Sequence, residues 1–120
     1  MKIAVSSTGT GVDAEVDPRF GRAAGFVIVD AESGESTYVP NKQNLEAPQG
    51  AGIQSAKLVA DSGAGVVISG HCGPKAFRTL QAAGVKIFVG ATGTVKEAVE
   101  KYKAGELTES SSADVDGHWM

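Results

Sequence analysis

The sequence predicts a three-layer α/β domain on a five-stranded mixed sheet, strand order 3-2-1-4-5, with the second strand antiparallel and helices on both faces. Three observations lead there. Five short stretches read as strands: Lys2–Ser6, Phe26–Asp30, Ser36–Val39, Gly65–Ser69 and Val85–Val89. Three further segments carry helical spacing, and each stops at a glycine, Gly63, Gly84 or Gly105. The resulting order is three strands, then helix, strand, helix, strand, helix. Right-handed crossovers between the later strands place the helices on the sheet faces.

Each element has a local reason. Ile3, Ala4 and Val5 make the first strand apolar. Phe26 to Asp30 (F-V-I-V-D) is continuous, as in a strand covered on both faces. Ser33-Gly34 marks a hairpin turn, and Ser36 to Val39 alternates around Tyr38 as an antiparallel edge strand. Pro40, which cannot donate to a ladder, ends it. The first helix runs from Ile53 to Ser62, its apolar face set by Ile53, Ala56, Val59 and Ala60. Pro74, favoured at a first helical position, opens the second, with Ala76, Phe77, Leu80 and Ala83 on one face. Thr94 and Glu97 form a capping box ahead of the third, which aligns Val95, Ala98, Val99 and Tyr102.

Two long stretches have no obvious element, Ser7–Gly25 and Asn41–Gly52. Loops of that length in a compact domain are often functional. Leu107–Met120 lacks apolar periodicity and holds Glu109, Asp114 and Asp116 with no Lys or Arg. It is expected to be a flexible acidic tail, ending in His118-Trp119-Met120, so residues 1–106 form the domain and 107–120 the tail.

Composition narrows the function. The chain has 120 residues, 42% of them hydrophobic, enough for one core. A formal charge of −3 gives no basic surplus for non-specific nucleic-acid binding. No run approaches the roughly 18 apolar residues of a membrane span. The opening M-K-I-A-V-S turns polar too soon for a signal peptide, so a cytoplasmic location is expected, with neither nucleic acid nor membrane as partner. Cys72 is the single cysteine, which rules out an intrachain disulfide and an all-cysteine metal site within one chain.

The direction of the strands brings the loops together. The first, third, fourth and fifth strands end at the same edge, so the exits Ser7–Gly25, Asn41–Gly52, Gly70–Gly73 and Gly90–Gly93 collect there. Adjacent strands whose connections leave in opposite senses mark the ligand crevice of open α/β sheets. The edge carries parts suited to an anion. Gly70, His71, Cys72 and Gly73 form a turn before a helix N-terminus, whose N–H groups and dipole favour negative charge. Lys75 stands in that first helical turn. Arg19 and Arg22 flank Phe20-Gly21, as a clamp or as partners of Asp13, Glu15 and Asp17. Ser7, Thr8 and Gly9 offer hydroxyl and backbone donors, Lys42 and Asn44 add ammonium and amide donors, and Gly50 and Gly52 let a large ligand approach the backbone. No Walker sequence is present, and no nucleotide or flavin is expected.

These pieces in order, M-K-I-A-V, D-P-R-F-G-R-A before F-V-I-V-D, N-x-x-N before a Gly-rich helix start, and G-H-C-G-P-K-A-F, resemble the dinitrogenase iron–molybdenum cofactor biosynthesis family over roughly residues 1–105. The resemblance implies a ribonuclease-H-like fold and the binding or carriage of metal–sulfur cofactors or their precursors. Within the family, a short stand-alone chain with S-S-T-G-T-G at the first loop and a single Cys resembles members that hold an anionic molybdenum–copper sulfide cluster without covalent ligation, and that resemblance implies such a cluster here. A partner protein in cofactor assembly or delivery is implied as well. Family members often have His where this chain has Arg19, which favours pairing with an anion over metal ligation there.

The expected function is therefore non-covalent binding or carriage of such a cluster, not catalysis. One Cys and two His cannot build a conventional closed metal site; Cys72 and His71 are candidate ligands, neither required. The alternative is a small regulatory or interaction module binding a phosphate or nucleotide at the same edge. A metal-dependent nuclease would need carboxylates converging on the sheet, and the first strand has none.

Overall fold

The computed structural model describes residues 1–41 and 51–111. Its strands are β1 (Lys2–Ser7), β2 (Gly25–Asp30), β3 (Ser36–Pro40), β4 (Val66–Ile68) and β5 (Lys86–Phe88); its helices are α1 (Ala51–Asp61), α2 (Pro74–Ala82) and α3 (Val95–Lys103). The sheet order is β3-β2-β1-β4-β5, as the sequence predicts. β2 is antiparallel to β1 and β3, while β4 is parallel to β1 and β5.

Strand periodicity divides the core into two layers. Ala4, Phe26, Ile28, Val67 and Ile87 turn to one face and pack with Ala56 and Val59 of α1 and Ala76, Phe77 and Leu80 of α2. Ile3, Val5, Val27, Val66, Ile68 and Phe88 turn to the other, where α3 supplies Val95, Ala98 and Val99. The helix stops are as read: Gly63, Gly84 and Gly105 take positive φ of 86°, 79° and 75°, a conformation that suits glycine. The Thr94–Glu97 capping box is complete, with both reciprocal bonds made. The Glu97 carboxyl is held below its usual range, chiefly by the Thr94 N–H it accepts.

Four local expectations change. Pro40 is the last residue of β3 rather than the first beyond it, and stands opposite Gly25. There the ladder bond falls to the next residue, Asn41 N–H to the Ala24 carbonyl at 3.0 Å, so the missing proline donor costs nothing. α1 begins at Ala51, and its buried residues are Gly52, Ser55, Ala56 and Val59, with Ile53 only half-buried. The stretch from Ser7 to Gly25 holds a 3₁₀ turn at Phe20–Arg22 and isolated bridges at Glu15, Val16 and Arg19. Finally, residues 107–111 are fastened to the domain. Leu107 packs on the α3-side core, Glu109 bridges Phe88, and Ser110 N–H donates to the Ile87 carbonyl at 2.8 Å. β5 is an edge strand with unspent backbone groups, and this segment takes one of them. The remainder of the expected tail, with His118-Trp119-Met120, lies outside the described residues.

Among the described residues, no helix is long and apolar enough to cross a membrane.

Candidate functional site

Register fixes which loops meet. Ser7, Gly25 and Pro40 stand in one row at one end of the sheet, and Lys2 pairs with Asp30 at the other. β1, β3, β4 and β5 therefore all end at the Ser7 edge, and all three helices begin there.

The first loop leaves β1 and straps itself across the start of α3. Thr8 N–H donates to Glu15 O at 3.0 Å, Val16 N–H to Gly93 O at 2.9 Å, Val95 N–H to Ala14 O at 2.8 Å and Lys96 N–H to Val12 O at 2.9 Å. With the capping box, these bonds spend the first-turn donors of α3. The chain then bends at Asp17, whose Oδ1 accepts the Arg19 N–H at 2.9 Å. Arg19 pairs with His71 in a parallel bridge, and Phe20 N–H donates to the His71 carbonyl at 3.2 Å. Pro18 lies on Gly70 so closely that a Cβ there would come within 2.7 Å of Pro18 Cα. The arginine segment and the histidine–cysteine corner are thus in direct contact, as the strand directions predict.

One part of that prediction changes. The crevice above the β1–β4 seam is filled by the first loop itself. α1 and α2 begin at the other half of the edge. Gly52 on α1 lies against Ala76 on α2, with its would-be Cβ 3.3 Å from the Ala76 Cβ, so the two N-termini stand side by side. α2 differs from α3 at its cap. Gly73 in the N-cap position offers no side-chain acceptor, and Pro74 follows it. Among the described residues, the N-cap therefore gives the N–H groups of Lys75 and Ala76 no side-chain acceptor, in the place where anions bind helices.

The candidates now separate. Arg19, Arg22 and Lys75 are exposed, and His71 is half-buried, around this corner. Gly70 and Gly73 are buried in its backbone. Cys72 is fully buried among Phe20, Phe26, Ala56 and Ala76, so its sulfur belongs to the apolar layer rather than the open edge. Ser7 and Thr8 do not face the corner as donors. The Ser7 hydroxyl contacts Gly9 O at 2.8 Å and Gly25 O at 3.3 Å, and Thr8 is bonded to Glu15. Gly9 packs against Ala14, where a Cβ would stand 3.2 Å from the Ala14 Cβ, and Gly52 serves helix packing. Lys42, Asn44 and Gly50 lie outside the described residues. Among the described residues, no three His, Cys, Asp or Glu side chains form a metal-ligand group. A hollow of about 380 Å³ at the opposite edge, lined by Lys2, Asp30, Glu35 and Thr37, contains none of the candidates.

Sequence reading missed the structural roles of several residues that hold the corner. Ser6 and Ser69 are fully buried and hydrogen-bonded to each other. Ser55 contacts the Gly21 carbonyl at 3.4 Å and the Asn41 side chain at 3.2 Å. Asn41 Nδ2 donates to Ala23 O at 3.0 Å, so its amide serves the loop base. The matched serines directly after I-A-V and V-V-I, at the ends of neighbouring parallel strands, are the signal that was available.

Comparison with known proteins agrees with this architecture. The model of the dinitrogenase iron-molybdenum cofactor family matches residues 1–105. The chain belongs to that family. The apo form of the orange protein from Desulfovibrio gigas is 45% identical, with a TM-score of 0.91 over 95% of this chain and 96% of that one. A NifB-like protein from Thermotoga, solved by NMR, is 32% identical, with a TM-score of 0.81 over 95% of this chain and 97% of its own. An uncharacterised protein of Methanocaldococcus jannaschii is 31% identical over 97 residues, 77% of this chain and 80% of that protein. The two solved structures share the overall fold of this chain.

Proposed function

We propose that this family member binds and carries an anionic metal–sulfur cluster of the molybdenum–copper sulfide type, held by hydrogen bonds and charge at the corner where α1 and α2 begin. The observation that carries the reading is the N-terminus of α2, whose N-cap Gly73 makes no side-chain bond, directly beside the Arg19–His71 pairing. Sulfide faces of such a cluster accept hydrogen bonds. The Lys75 and Ala76 N–H groups, the His71 ring and the Arg19 guanidinium are donors of the kind they need. Arg19, Arg22 and Lys75 supply positive charge against a chain of net −3. The cluster type rests on the resemblance of the first loop and the single cysteine. A preassembled cluster is cargo here, so the chain needs no closed ligand set and acts as a carrier rather than an enzyme. A partner that supplies or receives the cluster belongs to the same reading.

Titration of the apoprotein with tetrathiomolybdate and copper(I) tests this. New visible absorption should appear, with amide shifts at Arg19–Arg22 and Gly70–Ala76. Shifts confined to the Asp30–Gly34 end would refute the site. ATP serves as the competing anion: tighter binding of ATP than of the thiometallate would favour the regulatory alternative. Arg19→Gln should weaken thiometallate binding by roughly tenfold, the scale of one charge-assisted hydrogen bond, with little loss of stability because the side chain is exposed.

A further inference from the structure

We infer that Ser6 and Ser69 are positioning residues for this site: their buried hydroxyl pair sets where Arg19 and His71 stand relative to each other. The inference rests on the proposed function but is built from geometry of its own. Main-chain pairing between β1 and β4 runs to Val5 opposite Ile68. One residue further, the two serine hydroxyls meet at 2.9 Å, both side chains fully buried. Each then reaches into a different loop. The Ser6 hydroxyl donates to the Asp17 carbonyl at 2.8 Å, and the single hydrogen of the Ser69 hydroxyl is shared between Ser6 Oγ at 2.9 Å and the His71 carbonyl at 3.3 Å.

The contacts close a ring. From Ser6 it passes to Asp17, whose carboxylate holds the Arg19 N–H. From there the adjacent Phe20 N–H binds the His71 carbonyl, which leads back to Ser69 and Ser6. Pro18 on Gly70 fills its middle. Apolar neighbours surround this seam, with Val5 and Ile68 preceding the two serines and both fully buried. Two hydroxyls there are costly unless each is bonded. Alanine would fit the space without that cost, so packing alone does not account for the pair. What the hydroxyls add is a shared reference point for two loops that also meet at the Arg19–His71 bridge and the Pro18–Gly70 contact.

The test compares wild type with Ser6→Ala/Ser69→Ala in two ways. In the apoprotein, amide shifts should concentrate at Asp17–Arg22 and Gly70–Lys75. On titration with tetrathiomolybdate and copper(I), the dissociation constant should rise about tenfold, and the visible bands of the bound species should move, because the donor geometry around it changes. A loss of stability alone would move neither band positions nor the affinity of the folded fraction. Unchanged bands and affinity would overturn the inference. If wild type binds no thiometallate, the functional reading fails by itself. The apoprotein comparison then decides, and undisturbed Arg19 and His71 amides would end the inference. Should the double variant not fold, Ser69→Ala carries the same comparison.

Discussion

Replacing Gly70 by alanine should part the two loops of the site and cost about 3 kcal/mol, from overpacking plus one or two lost hydrogen bonds. The new Cβ would stand 2.7 Å from Pro18 Cα and 2.8 Å from the Pro18 carbonyl oxygen. Both are backbone atoms, so no side-chain rotation relieves the overlap. Relief requires the corner or the arginine segment to move. Moving the corner strains the Gly90 N–H bond to Gly70 O at 2.8 Å; moving the segment strains the Phe20 bond to His71. Either way Arg19 and His71 separate. Urea unfolding should show a lower midpoint, and thiometallate affinity should fall by more than tenfold in the folded fraction. A variant with wild-type midpoint and affinity would refute the contact on which the site is built.

Much of the fold was legible because its signals are strong and local. Apolar runs, a hairpin turn, three glycine stops and a capping box leave few alternatives once right-handed crossovers are required. Element ends were not legible, because pairing partners decide them. Nothing in Ser7 or Gly25 favours a strand, yet each is paired. Tyr38 covers Gly25 across the ladder, its ring lying where a Cβ would go, and its hydroxyl donates to Ala24 O at 3.1 Å. The start of α1 was missed for a related reason. Its inward face is made of Gly52, Ser55 and Ala56, small residues that let α2 come close, whereas hydrophobic spacing points to Ile53.

The edge of the site was also legible, since strand direction alone assembles it. The spending of donors was not. Composition presents Ser7 and Thr8 as ready to bind a ligand, but loop backbone cannot be left unpaired, and the nearest partners are the loop's own carbonyls. Cys72 shows the same limit. Its neighbour His71 is half-buried at the corner, and one step along the turn reverses the side-chain direction, sending the sulfur into the apolar layer. A linear sequence does not show that reversal, while it did show which two segments would touch.

Phe20→Ala should have the largest effect on stability, about 3–5 kcal/mol, the range for emptying a buried aromatic site. Phe20 is fully buried and its ring meets that of Phe26 at a tilt of 46°, with ring centroids 5.2 Å apart. It is also the main anchor of a three-residue 3₁₀ turn that has no side-chain cap. The Phe20 bond to His71 and the long Ser55 contact to Gly21 also hold the turn. Thermal unfolding should drop by roughly 15 °C or more. Because small domains hold only about 5–15 kcal/mol in total, Phe20→Leu is the informative companion. It keeps most of the apolar volume, so stability should largely return. If Phe20 acts only as filler, affinity for the thiometallate returns with it. If ring shape also aims the flanking Arg19 and Arg22, affinity stays reduced at restored stability, because a branched aliphatic side chain does not fix the turn against the Phe26 ring in the same orientation. The contact between two rings would then be what carries the positive charge of the first loop to the start of α2.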